Sequence, residues 1–250
     1  MTPHLHHRCV LALLASMILA LCIGLLAWGP VVPRPVPHAP RFTALSTLLG
    51  AFVMCVTGWW GVRRAPAPAW SMFFVTVVLT GLMLAIHHWQ HGVAVQVAVH
   101  LCTGWMWAAL SAALLAERVR ERWARVTLLA GFMLAAASAA HWLVSQLVDG
   151  QGDLRGQLLL QSLPLLLLAA GAVQLPGRWT GPRDWHVVLA LHALALLVQA
   201  LRGGVPQPLL WGAAAMWLAY RVGGVAPAMS LSHDDAGASS HASTSLTTSR

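Results

Sequence analysis

The sequence has no lysine and few acids. Of its 250 residues, only 9% are charged and 58% are hydrophobic. A soluble domain carries about a quarter of its residues as charged side chains. A chain this poor in charge cannot cover a surface that faces water on all sides. These deficits exclude an ordinary soluble protein and predict an integral membrane protein.

Carboxylates are absent from every apolar segment. Ion-coupled transporters and proton pumps usually carry ionisable groups within their spans, and paired carboxylates are the usual acid–base catalysts. The sequence therefore argues against both classes. In the connector "VDGQGDLRGQ", Asp153 and Arg155 are expected to pair, but an exposed pair contributes little stability. The seven acids lie in connectors or in the C-terminal tail: Glu117, Glu121, Asp149, Asp153, Asp184, Asp234 and Asp235.

Positive charge comes from fifteen arginines, which are scattered through short connectors. A nucleic-acid-binding surface would need a continuous basic stripe with aromatic residues between, so no nucleic-acid partner is predicted.

The four cysteines lie singly in apolar segments and form no CxxC pair, which argues against disulfides and against a zinc knuckle. They are Cys9, Cys22, Cys55 and Cys102.

Eight apolar runs have about the 20 residues that cross a bilayer as a helix. We therefore expect an all-α polytopic transmembrane bundle of about eight spans. An N-terminal anchor-like helix (1–28) precedes the bundle (29–225), and a polar tail (226–250) is expected to be disordered. The first run is longer than a signal-peptide core and lacks a convincing cleavage site, so it is expected to stay attached. The runs are 9–28, 43–62, 70–88, 93–116, 126–147, 158–175, 185–201 and 203–220.

The arginines also predict the orientation of the spans. With an inside N-terminus, ten arginines fall on the inner side and four on the outer side, leaving aside Arg250 in the tail. Cytoplasmic loops carry the excess of positive charge, so both termini are expected inside. The inner set is Arg8, Arg63, Arg64, Arg118, Arg120, Arg122, Arg125, Arg178, Arg183 and Arg221.

Histidine is the titratable residue that remains within the spans, and four histidines lie in the stretch "LMLAIHHWQHGVAVQVAVH". One interpretation is a metal site built from His88 or His91 with His100 and His141, because three imidazoles and a water form a catalytic zinc shell. Another is that His100 and His141 form hydrogen bonds between helices. Bis-histidine haem ligation by His100 and His141 is a third. His192 lies at a similar depth from the opposite face, poorly placed to join them.

Several stretches together resemble the bacterial branch of the alkaline-ceramidase-like (CREST) membrane hydrolases. They are "TALSTLLGAFVMCVTGWWGVRR", "FFVTVVLTGLMLAIHHWQHG", "AALLAERV" and "GDLRGQLLLQSLPLLLLAAGAVQLPGRWTGPRD". They keep their order from about residue 43 to residue 221, and the last is the most specific. The resemblance implies a seven-helix core, a bound zinc ion, and hydrolysis of a lipid amide by zinc-activated water.

Carried over position by position, the resemblance retains one of five site residues. His88 matches the first zinc ligand, whereas Leu84 occupies the serine position and Val99 the aspartate position, beside His100. The last helix, "VPQPLLWGAAAMWLAY", lacks the family's histidine pair, and Gln207 is its nearest polar residue. One imidazole cannot hold catalytic zinc, which needs about three protein ligands.

The sequence therefore predicts a degenerate relative of these hydrolases that binds a lipid or a membrane partner without the usual catalysis. The alternative is an active hydrolase of lipid amide bonds with a rearranged site of His88, His100 and His141. A haem- or copper-handling membrane protein is a further alternative. The family branch and the arginine pattern point to the bacterial inner membrane.

Overall fold

The computed structural model describes residues 3–31, 41–167, 177–200 and 207–242. Within these ranges the chain forms eight α-helices and no strand, which confirms the all-α prediction. Each helix coincides with or overlaps one predicted span. Part of the predicted span 158–175 lies outside the described residues. The helices are α1 (Pro3–Trp28), α2 (Arg41–Arg64), α3 (Pro68–Trp89), α4 (Val93–Arg118), α5 (Glu121–Asp149), α6 (Arg155–Leu167), α7 (Pro182–Ala200) and α8 (Gln207–Ala242).

Four of the described helices are long and apolar enough to cross a bilayer. They cover Leu45–Arg64, Pro68–Trp89, Val93–Arg118 and Glu121–Asp149. Helices rise 1.5 Å per residue, and the hydrocarbon core is about 30 Å thick, so 20 residues suffice. These helices indicate that the protein is embedded in a membrane.

The helices pack mostly against sequence neighbours, and α8 is the main exception. α2 packs against α3 and α8, α4 packs against α3, α5 and α6, and α7 packs against α8. The largest buried cluster lies where α3, α4, α7 and α8 meet. On α3 its residues are spaced to lie on one helical face. This set is Trp70, Phe73, Phe74 and Val77.

The N-terminal helix α1 is attached to the bundle at its C-terminal end. It packs against α6. Beyond α1, Leu154 N–H donates to the carbonyl of Val31 at 2.9 Å, and Val31 N–H donates to Oδ1 of Asp153 at 3.1 Å. Within the predicted anchor segment 1–28, the described residues Pro3–Trp28 form one helix, and the residue Val31 that follows it is hydrogen-bonded to the connector between α5 and α6.

The last helix, α8, extends beyond the predicted start of the tail. Its backbone is helical through Ala242, so the predicted boundary at residue 226 falls inside a helix. Adding a residue to an existing helix costs far less than starting a new one. Residues 243–250 of the predicted disordered tail lie outside the described residues.

Glycines allow α2 to approach α3 closely. A methyl group at Gly58 would lie 2.7 Å from the Phe74 carbonyl oxygen and 2.6 Å from a Val78 side-chain carbon. A methyl group at Gly81 would lie 2.8 Å from the Ala51 carbonyl oxygen. Small residues let transmembrane helices meet backbone to backbone, which maximises van der Waals contact.

Gly58→Ala is expected to destabilise the bundle, because the added methyl group meets a backbone carbonyl that cannot rotate away. Overpacking of this kind costs about 1–3 kcal/mol. The measurement is the thermal unfolding midpoint in detergent. Gly24→Ala in α1 is the matched control, since nothing lies within 4 Å of a methyl group there. Equal midpoints for the two variants would contradict the close packing of α2 on α3.

Candidate functional site

Three histidines lie at the end of α3 and in the turn into α4. His87 and His88 lie in the last turn of α3, and the ring centroids of His87 and His91 are 5.6 Å apart. His88 packs against its neighbour Trp89, with centroids 5.8 Å apart in a T-shaped contact. The structure therefore places these three residues together at one end of the bundle.

His100 and His141 have different partners. The His100 ring lies against Trp142 of α5, with centroids 4.6 Å apart. His141 Nε2 is 3.1 Å from Oδ2 of Asp153. A carboxylate only accepts hydrogen bonds, so Nε2 carries the proton in this contact. The two predicted ligands therefore contact different residues, and no contact between His100 and His141 is needed to hold either ring in place.

Asp153 is the centre of a hydrogen-bonded cluster and is only 3% exposed. Its Oδ2 also accepts from Arg155 Nε at 2.7 Å. Its Oδ1 accepts from the backbone N–H groups of Val31 at 3.1 Å and Arg155 at 3.0 Å. The Asp153 N–H donates to Ser145 Oγ at 2.8 Å. Four donors therefore converge on one carboxylate.

The predicted Asp153–Arg155 pair is confirmed, but the expectation that it is exposed is wrong. α5 ends at Asp149, and Gly150 adopts the left-handed conformation (φ 68°) that ends many helices. The connector then folds back along α5 as far as His141, eight residues or about 12 Å from the helix end. Gly152 permits this path, because a side chain there would overlap the Trp142 indole.

The environment of Asp153 favours its charged form. Burial by itself raises the pKa of the carboxyl group. The hydrogen bonds from Arg155, His141 and Val31 outweigh burial and lower the pKa from 3.8 to about 2. At neutral pH the Asp153 carboxylate is therefore charged, and its hydrogen bonds connect the segment after α1 with α5 and α6.

The residues present do not fit the catalytic zinc that the family resemblance implies. Across the part of the chain that the structure describes, no group of three or more His, Cys, Asp or Glu side chains could hold one ion. Of the predicted set, His141 is bonded to Asp153, His100 packs on Trp142, and His88 packs on Trp89. The haem and copper interpretations stay predictions.

A second set of acids holds the connector that precedes α7. Oε1 of Glu117 accepts from Trp179 N–H at 3.0 Å and from Thr180 N–H and Oγ1 at 2.7 Å each. Thr180 Oγ1 in turn accepts from Trp185 Nε1 at 2.8 Å. This stretch belongs to the most specific part of the family resemblance, and its described polar contacts hold the connector against the end of α4.

Asp184 connects the start of α7 to α8. Its Oδ2 accepts from Gly181 N–H at 2.8 Å, and its Oδ1 is 2.7 Å from Arg221 Nε. The carboxylates described so far therefore accept hydrogen bonds that fasten connectors and helix ends. None of these contacts forms a carboxylate pair suited to acid–base catalysis.

His192 of α7 packs against α4. It is 3% exposed, and Trp107 meets its ring edge-on with centroids 5.0 Å apart. Among the described residues neither ring nitrogen has a hydrogen-bond partner. The small cavity beside it has a volume of ≈ 30 Å³, room for one or two waters. Its other described lining residues are apolar or aromatic, so the site offers a single imidazole.

A larger site is the open groove between α2 and α8, which has a volume of ≈ 770 Å³. Its walls are mainly apolar and aromatic. Arg63 is the one charged side chain among the described lining residues, and its guanidinium carbon lies 4.8 Å from the centroid of the Trp59 ring. The lining residues are Val56, Thr57, Trp59, Trp60 and Arg63 of α2, and Ala213, Met216, Trp217 and Tyr220 of α8.

The sequence contained one signal of this groove. In "WWGVRR" each tryptophan precedes an arginine by four residues, a spacing that places both on one helical face. Arg64 lies 4.6 Å over Trp60 in the same way. From the sequence alone, the tryptophans are typical of the membrane interface and the arginines indicate the orientation of the span. The contact of α2 with α8 is not visible in the sequence.

In comparisons with known proteins, no family model, no curated protein and no solved structure matches the chain.

Asp153→Asn is expected to lower the stability of the protein at pH 7 by roughly 2 kcal/mol, the equivalent of the lowered pKa. Because the folded-state pKa is lowered, this stabilisation is complete above pH 4 and is lost as the pH falls toward 2. Thermal unfolding of both proteins in detergent at pH 7, 4 and 2 measures it.

The difference between wild type and Asp153→Asn should shrink steadily below pH 4. Asp149→Asn, at the exposed end of α5, is the control and should leave the midpoint unchanged. A pH-independent difference between wild type and Asp153→Asn would refute the charged state of Asp153.

Proposed function

We propose that the protein is a non-catalytic integral membrane protein that binds a membrane lipid in the groove between α2 and α8. The observation that carries this proposal is the groove itself, ≈ 770 Å³ with a mainly apolar and aromatic lining. Binding sites for small molecules commonly have volumes of about 300–1,000 Å³ and a mostly apolar lining. The groove is open at the side of the bundle, where acyl chains surround a membrane protein.

The arrangement of the histidines supports binding rather than catalysis. Zinc-dependent hydrolysis needs about three protein ligands and an open position for water. Among the described side chains, the predicted ligands each have a separate aromatic or acidic partner. The lipid is therefore proposed to stay intact, and the resemblance to alkaline-ceramidase-like hydrolases is proposed to extend to the helices and not to the activity.

We further propose that the ends of α2 and α8 that carry Arg63 and Tyr220 face the cytoplasm of a bacterial inner membrane. The ten-to-four distribution of arginines supports this orientation. Both chain termini are then cytoplasmic.

Ala213→Trp is expected to fill the groove and abolish lipid retention, because Ala213 of α8 lines the groove and an indole there would occupy its space. Native mass spectrometry of the purified protein counts the lipids that stay bound after detergent exchange. Ala130→Trp is the matched control, since Ala130 is exposed on α5 and does not line the groove. Wild type and Ala130→Trp should retain lipid equally.

The same preparations test the absence of catalysis. Metal analysis should find no stoichiometric zinc, and incubation with a ceramide-like amide should release no fatty acid. Stoichiometric zinc that is lost in His100→Ala, together with fatty-acid release, would establish the rearranged hydrolase instead. A Soret absorption band would establish a haem protein.

A further inference from the structure

The guanidinium of Arg63 and the hydroxyl of Tyr220 lie toward one end of the α2–α8 groove. Arg63 is the residue before the last of α2, and Val56 lies seven residues, about 10 Å, further along the groove. A methyl group at Gly223 of α8 would lie 2.9 Å from the Arg64 side chain, so Tyr220 of α8 lies near the level of these arginines. One end of the groove is therefore polar and charged, and the rest of the groove is mainly apolar.

Among the described residues, Arg63 has no carboxylate partner and no acid lines the groove. The neighbouring Arg221 differs, because Asp184 neutralises it at 2.7 Å. Arg63 lies against the face of Trp59, which orients the guanidinium without using its five N–H donors. A positive group whose donors have no acidic partner among the described residues thus lies at the end of a mainly apolar groove.

Tyr220 is the one tyrosine of the chain and is 61% exposed. Its hydroxyl group can donate a hydrogen bond to an anionic oxygen. Guanidinium groups bind phosphate oxygens with two parallel hydrogen bonds, and tyrosine and tryptophan favour the level of the lipid headgroups. The chemistry of the polar end is therefore that of a phosphate site.

We propose that the groove selects a phospholipid with a net negative headgroup, whose phosphate is bound by Arg63 and Tyr220 and whose acyl chain lies along Val56, Ala213 and Met216. The inference rests on the proposed lipid-binding function and adds the class of lipid. A zwitterionic headgroup also has a phosphate, but Arg63 repels its cationic group. Among the described lining residues there is no carboxylate that would attract that cationic group. Near a membrane surface one such charge changes affinity by about fivefold.

The experiment offers purified protein equal amounts of phosphatidylglycerol and phosphatidylcholine in mixed micelles and measures retained lipid by native mass spectrometry. Wild type should retain phosphatidylglycerol in about fivefold excess. Arg63→Gln should abolish the preference, while the apolar groove still retains lipid. Tyr220→Phe should weaken phosphatidylglycerol retention. Arg63→Lys should show part of the preference that Arg63→Gln loses, because lysine keeps the positive charge but cannot form the bidentate hydrogen bonds of a guanidinium group.

Arg122→Gln is the matched control. Arg122 also lies over a tryptophan, with its guanidinium carbon 6.0 Å from the Trp123 ring centroid, but it does not line the groove. It should keep the wild-type preference. Equal loss in Arg122→Gln and Arg63→Gln would show that general surface charge is responsible and would overturn the proposed site.

The two proposals fail differently. Equal retention of both lipids by wild type would overturn the headgroup inference and leave lipid binding intact. Retention of neither lipid would overturn the proposed function itself. If Arg63→Gln does not fold, as judged by its far-ultraviolet circular dichroism, the preference of wild type and its change in Tyr220→Phe still decide the inference.

Discussion

The close approach of α2 to α3 and α8 is the constraint on which the rest of the bundle depends. Lipid tails are as apolar as leucine, so helices in a membrane associate through close contact rather than through exclusion of water. α2 meets the backbone of α8 at Gly50 and that of α3 at Gly58, where a methyl group would lie 2.7 Å from a backbone atom in each case. The contact between α2 and α8 includes small residues such as Gly212. The larger side chains on either side of this contact, from both helices, form the walls of the groove.

Polar residues in this protein serve mainly to fasten the ends of helices. Asp153 connects α1, α5 and α6, and Glu117 holds the connector before α7. A buried carboxylate is costly unless several donors satisfy it, and four donors reach Asp153.

Sequence reasoning predicted the helices well and the contacts of their polar residues poorly. The eight apolar runs correspond to the eight described helices because length and hydropathy are local properties. The Asp153–Arg155 pair was also predictable, since the two residues are two positions apart. The burial of Asp153 and its bond to His141 were not, because both depend on a connector that turns back at Gly150 and follows α5. His100 and His141 looked equivalent by depth, yet Trp142 and Asp153 give them different environments.

The sequence by itself determined that this chain is helical and membrane-embedded and that its apolar segments carry no carboxylate. These conclusions depend on composition, on runs of apolar residues and on the identity of single side chains. Only the tertiary structure decided which polar groups meet and where an open surface remains. The groove arises from residues 56–63 and 213–220, separated by about 150 positions, and no pattern within either segment specifies that the two helices are neighbours.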